Sequence, residues 1–142
     1  MLQLVALTPN PSQHQVTLFA ESVSAGFPSP ADDHSDGGLD FNHYLIKHPA
    51  ATFCLRVSGD SMTGAGIHSG DLLVVDRSLE PLAGRIVVAA INGELTVKRL
   101  MQQQGRMVLM AENPHYPPIV LNADVDDVTV WGVVTYVIHK AT

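Results

Sequence analysis

Basic side chains are scarce in this sequence: eight Lys and Arg stand against fourteen Asp and Glu, a formal net charge of −6 over 142 residues. A domain that grips duplex nucleic acid carries a basic patch. Nothing here clusters beyond Lys98-Arg99, so direct binding to duplex DNA is not expected. Cysteine is almost missing. The single Cys54 cannot close an internal disulfide, and in its β-prone run it reads as a small buried apolar residue. One thiol cannot complete a zinc set, and the histidines at 14, 34, 43, 48, 68, 115 and 139 include no close pair with metal-ligand spacing. Neither metal nor cofactor is therefore expected. Long apolar runs are missing too, with none near the roughly 18 residues that span a bilayer. The apolar opening, Met1 to Leu7, has no basic residue before it and is cut short by Thr8-Pro9-Asn10-Pro11. It makes a poor export signal, and the cytoplasm is the expected compartment, with no membrane partner.

What is present suits one ordinary domain with an arm: apolar residues make up 46% of the chain, enough for a proper core at this length. Residues 1–39 read as the arm. They hold one β-prone stretch, Gln15-Val16-Thr17-Leu18-Phe19, then small and polar residues, then Phe27-Pro28-Ser29-Pro30 and an acidic, glycine-rich run from Ala31 to Gly38. The prolines after Gly26 keep the backbone extended. Residues 40–142 read as a β domain entered through a short helix over 40–48. Asp40 is its N-cap, Phe41, Tyr44 and Leu45 share one face, and Pro49 ends it. Strands are predicted at 52–57, 71–76, 85–91, 94–101, 106–111, 118–121 and 128–139. Asn92-Gly93 signals a two-residue hairpin turn. Gly132 suggests a bulge that lets the long last strand serve two sheets. Many short strands with few helices predict a mostly β, barrel-like or sandwich-like fold.

The stretch with chemical promise is Ser58-Gly59-Asp60-Ser61-Met62, which follows the predicted strand 52–57. A turn at a strand end exposes a hydroxyl while the scaffold holds it still, a good setting for a nucleophile. The same residues are also ordinary turn formers. A second feature is Lys98-Arg99, two cations inside an otherwise apolar strand. Alternation places them on opposite faces and does not say which is special, and both fit side chains that snorkel from a half-wet sheet. Chemistry separates them. A buried lysine can lose its proton near neutral pH because burial disfavours the charged form, whereas arginine stays protonated. A serine beside a neutral lysine is a known substitute for the serine–histidine pair.

With Ser58 to Met62, Gly70-Asp71-Leu72-Leu73-Val74-Val75-Asp76, Gly93 to Leu100, Ala25-Gly26-Phe27-Pro28-Ser29-Pro30 and Trp131-Gly132-Val133-Val134, the chain resembles the UmuD family. These are SOS mutagenesis proteins related to the self-cleaving part of the LexA repressor. The resemblance implies a LexA/UmuD-type self-cleaving β domain with an extended N-terminal arm. It implies Ser61 as nucleophile, Lys98 as general base, and a cut between Ala25 and Gly26 stimulated by RecA on single-stranded DNA. It further implies that the product, residues 26–142, forms a homodimer and serves a UmuC-like Y-family polymerase in error-prone synthesis across lesions. Relatives of the UmuD type can carry cysteine before the scissile glycine; Ala25 follows the LexA-like pattern, and both residues are small. The residues agree with this reading. Ala-Gly on an extended arm lets the backbone lie close to a nucleophile. Losing residues 1–25 removes only Glu21 among the charged groups and leaves thirteen acidic against eight basic side chains, which suits a protein-binding accessory role.

Three other classes compete. A LexA- or phage-type repressor would need a helix-turn-helix, and the segment before the arm is too short and too poor in Lys and Arg for one. A membrane signal peptidase also uses serine and lysine but has an anchor. A non-catalytic β scaffold would show no self-cleavage at alkaline pH.

Overall fold

A computed structural model describes residues 2–5, 7, 15–19, 35–122 and 126–142. The expected cleavage pair, Ala25-Gly26, lies outside them. The fold is mostly β, and the chain divides into two units: Met1–Leu7 with His48–Thr142, and Thr8–Lys47.

In the larger unit the strands are β1 (Leu2–Val5), β4 (Thr52–Val57), β5 (Leu72–Asp76), β6 (Ile86–Ile91), β7 (Glu94–Gln103), β8 (Arg106–Met110), β9 (Ile119–Val120) and β10 (Val128–Ile138). They form one eight-stranded antiparallel sheet in the order β1-β4-β5-β10-β6-β7-β8-β9. The predicted strands recur within one or two residues at each end. β1 is new. The sequence pattern places residues 2–5 in the arm, yet they pair along β4, Leu2 opposite Val57 and Val5 opposite Cys54. Four residues are too few to show a period, so only the partner strand reveals them.

Turn chemistry sets the β6–β7 hairpin. Asn92 and Gly93 both take positive φ, 49° and 86°, the backbone that a two-residue turn between twisted strands requires. β10 shifts register against β6 between Val130 and Gly132 and against β5 between Val134 and Tyr136. These two irregularities let one strand bridge the two halves of the sheet. At Gly132 a Cβ would sit 2.8 Å from Val75 Cγ1 and 2.9 Å from the Asp76 carbonyl oxygen, so only glycine fits the close approach.

Adjacent residues of a strand face opposite ways, and on β6 both faces are buried. Val88 packs with Leu55, Val57, Met62, Leu73 and Val97. Val87 and Ala89 pack with Leu100, Leu109 and Val133. Both faces of the sheet are therefore covered at β6. Each fully buried Leu or Val contributes about 1.5–3 kcal/mol, and this double core is the rigid floor under the site described below.

The smaller unit holds β2 (Gln15–Phe19) paired antiparallel with β3 (Ser35–Asp40), then the one-turn helix α1 (Phe41–Leu45). β3 was not expected, since Ser-Asp-Gly-Gly has poor β-propensity; backbone pairing with β2 makes it a strand. The helix begins as predicted, with the Asp40 carboxylate accepting from the His43 N–H at 3.3 Å. It ends at Leu45 rather than running to residue 48, and Phe41 and Tyr44 stay exposed. One turn gains too little from its own hydrogen bonds to extend unaided. Pro49 instead starts a separate 3₁₀ turn, Pro49–Ala51.

Candidate active site

The site is built where β4 ends. After Val57 the chain turns through Ser58–Met62, with Gly59 at φ 116°, a conformation that excludes an ordinary side chain. Met62 is 1% exposed and plugs into the core between Leu55 and Ile67. That anchor holds the turn from below. From the side, the Glu112 N–H donates to the Ser61 carbonyl at 2.9 Å, and the Gly64 N–H donates to the Glu112 carbonyl at 2.7 Å. A Cβ at position 64 would lie 2.6 Å from that carbonyl oxygen, so Gly64 is a packing requirement of the site wall. Ser61 thus sits on a turn tethered at two points.

Lys98 comes from the middle of β7, paired with Val87 of β6. It is 8% exposed. Its Nζ lies 3.0 Å from Ser61 Oγ, 2.9 Å from Thr96 Oγ1 and 3.1 Å from the Val97 carbonyl oxygen. Every partner is neutral, and among the described residues no carboxylate pairs with it. Burial therefore pushes the Lys98 pKa below the ordinary lysine value. The geometry suits a neutral amine. Its two N–H groups can go to Thr96 Oγ1 and the Val97 carbonyl, leaving the lone pair toward Ser61 Oγ, within proton-transfer range. The cleft around the pair has a volume of about 390 Å³ and is lined by Leu2, Val57, Ser61, Leu95, Lys98 and Tyr116, among others.

Arg99, the neighbouring cation, goes elsewhere. Its Nε lies 2.5 Å from Glu112 Oε1 and its Nη1 donates to the Gly84 carbonyl at 2.7 Å. It is a half-exposed ion pair that secures the same Glu112 whose backbone holds Ser61 and Gly64. Cys54 is buried, and burial raises its thiol pKa, the inert state expected of it. Two histidines close the ends of β5. His48 Nδ1 lies 2.6 Å from Asp76 Oδ2, and His139 Nδ1 lies 2.6 Å from Asp71 Oδ1. Among the described residues no group of three or more His, Cys, Asp or Glu could hold a metal, and no helix is long and apolar enough to cross a membrane.

Reasoning from sequence missed three polar contributors. Thr96 was legible in hindsight, two residues before Lys98 on the same strand face. Asn113 and Tyr116 were not. They sit in the connection after β8, where Asn113 Nδ2 donates to the Asp60 carbonyl at 2.9 Å and the Tyr116 hydroxyl donates to Asp60 Oδ1 at 2.5 Å. Nothing in loop composition announces such contacts.

A Peptidase S24-like family model matches residues 17–135. The chain belongs to that family. Salmonella typhimurium SamA is 49% identical over 140 residues, covering 99% of this chain and 96% of SamA. Escherichia coli MucA is 46% identical over 123 residues, covering 87% of this chain and 84% of MucA. The LexA repressor of Providencia rettgeri is 41% identical over 119 residues, 84% of this chain but 58% of the repressor. The S24 peptidase is thus of the UmuD-like kind, a serine peptidase that acts on itself in SOS mutagenesis.

Proposed function

We propose that Ser61 is the nucleophile, that Lys98 is its general base, and that the bond cut lies between Ala25 and Gly26. The observation that carries this reading is the 3.0 Å approach of Lys98 Nζ to Ser61 Oγ in a buried setting where, among the described residues, no carboxylate pairs with the amine. Neutral Lys98 takes the hydroxyl proton as Ser61 Oγ bonds to the Ala25 carbonyl carbon. The charge that develops on the carbonyl oxygen is met by the Ser61 backbone N–H. As the tetrahedral intermediate collapses, the C–N bond breaks and the lysine proton passes to the departing Gly26 amine. Water then attacks the ester, Lys98 again takes a proton, and Ser61 is restored. One peptide bond and one water are consumed, once per chain.

In this reading the segment around Ala25-Gly26 serves as a cleavable arm, working in the cytoplasm. A RecA filament on single-stranded DNA stimulates the cut by favouring the arm conformation that enters the cleft, a population shift. The product 26–142 forms a homodimer and acts as accessory subunit of a UmuC-like Y-family polymerase. Its acidic balance supports protein contacts over direct contact with DNA.

Mass spectrometry of the full chain tests the dyad. Incubation at rising pH is expected to convert it to residues 26–142 at a rising rate, as more Lys98 becomes neutral, and RecA with single-stranded DNA should accelerate the conversion near pH 7. Ser61→Ala and Lys98→Ala should each stop it. Cutting that persists in either variant overturns the dyad.

A further inference from the structure

The loop after β8 grips the nucleophile turn at the residue before Ser61, and it does so twice. Asn113 Nδ2 donates to the Asp60 carbonyl and the Tyr116 hydroxyl to the Asp60 carboxylate. The Asn113 side chain is itself oriented. Its Oδ1 accepts the His115 N–H at 2.9 Å and its backbone carbonyl accepts the Tyr116 N–H at 3.1 Å. With Oδ1 committed to a donor, Nδ2 is the end that faces Asp60, which settles which way the amide points.

The Asp60 carbonyl and the Ser61 N–H belong to one planar unit. No peptide bond among the described residues is cis, so the two dipoles point in opposite directions across that plane. Holding the carbonyl toward Asn113 turns the Ser61 N–H to the other side. Among the described residues that N–H has no acceptor of its own. An oxyanion donor acts by being aimed before the charge appears, and among the described residues the other donor to the Asp60 carbonyl is the Thr63 N–H at a long 3.4 Å, so Asn113 makes the shorter hold.

We propose that Asn113 is a positioning residue for self-cleavage, fixing the Asp60–Ser61 peptide so that the Ser61 N–H is aimed at the oxygen on which negative charge develops. The proposal rests on Ser61 being the nucleophile. Tyr116 supplies a second, less direct hold on the same residue through the Asp60 side chain. The hydrogen bond to the Asp60 carboxylate, with the negative charge beside it, raises the Tyr116 pKa. That direction favours the protonated, donating phenol.

The test is the rate of self-cleavage of the full chain as a function of pH, for the parent, Asn113→Ala, Asn113→Asp and Tyr116→Phe, with Ser61→Ala and Lys98→Ala beside them. Asn113→Ala should lower the plateau rate about 10–100-fold, because a misaimed donor loses most of its worth. The pH of half-maximal rate should not move, because Lys98 and its surroundings are untouched. Asn113→Asp keeps the size and removes the donor, so its plateau should fall at least as far as that of Asn113→Ala and decides the matter if the alanine variant folds poorly; the midpoint is judged on Asn113→Ala, because the new carboxylate favours the charged form of Lys98. Tyr116→Phe should cost about 2–5-fold. A plateau within twofold of the parent in both Asn113 variants overturns the proposal and leaves the dyad standing. A plateau that drops together with a shifted midpoint also overturns it, since the loop would then act through the burial of Lys98. Cutting that continues in Ser61→Ala or Lys98→Ala overturns the dyad, and the proposal with it.

Discussion

Two places in the larger unit bury charge-bearing groups, and they treat them in opposite ways. In the cleft, Lys98 is surrounded by a hydroxyl, a second hydroxyl and a carbonyl, and burial drives its pKa down. At the two ends of β5, Asp71 and Asp76 are as deeply buried, 2% and 4% exposed. Burial alone would raise their pKa values, but hydrogen bonds and histidines outweigh it and both are lowered. Asp71 accepts from the His68 N–H and meets His139; Asp76 accepts from the Ser78 hydroxyl and N–H and meets His48. Equal burial thus yields a group eased toward neutrality in one place and groups held ionised in the other. The partner supplied, not the depth, decides. The carboxylate sites contribute to stability, while the lysine site gives up stability for reactivity.

The largest effect that would break this comparison is chemical. Lys98→Arg keeps the charge and cannot release a proton, so self-cleavage measured by mass spectrometry should fall on the order of 10³-fold or more. A variant that still cuts at a fifth of the parental rate would show that neutrality at position 98 is irrelevant. Next come the carboxylates. Asp76→Asn and Asp71→Asn each replace an acceptor-only group with an amide that must turn an N–H₂ toward existing donors. Each is expected to lose about 1–3 kcal/mol, read as a lower midpoint in urea.

The pH dependence sharpens the contrast. Asp71 and Asp76 have folded-state pKa values below their unfolded ones, so their contribution is complete above the unfolded value of about 3.9 and is lost as pH falls through the folded values. Urea midpoints of the parent should therefore drop in acid, and those of the Asn variants should drop less. Lys98 has the same sign in a different window. Its folded pKa is also depressed, so the parent should gain stability as pH rises toward the unfolded value of about 10.4. Lys98→Met should lack that gain. Equal slopes for parent and Lys98→Met as pH rises toward that unfolded value would show that the folded amine is not depressed. The smallest effect is expected at Arg99→Lys, a half-exposed pair, where about 0.2–1 kcal/mol is at stake.

Much of the fold was legible because the sheet's own rules are local. Apolar runs bounded by Gly, Asn and Pro located seven of the strands of the main sheet, and Asn92-Gly93 and Gly132 gave a turn and a bulge. What escaped depends on a distant partner. β1 and β3 exist only because β4 and β2 lie beside them, and α1 is a single turn whose Phe41 and Tyr44 stay exposed. The site divided in the same way. Lys98 could be told from Arg99 because a charge that can be removed differs from one that cannot, whereas Ser61 stands among ordinary turn formers and only the resemblance of its motif points to it. Arg99 read as a surface cation and is tied to Glu112. Asn113 and Tyr116 lie 53 and 56 residues from Asp60, and no spacing rule reaches across that span.

The strand Leu2–Val5 is zipped to β4 through four residue pairs while the proposed scission falls some twenty residues later. Breaking the chain between Ala25 and Gly26 would leave the severed piece hydrogen-bonded to the body it was cut from. Departure is then a separate event with its own clock, set by how quickly a short ribbon peels off an edge. A gel band at the shortened mass would report the first event and be blind to the second.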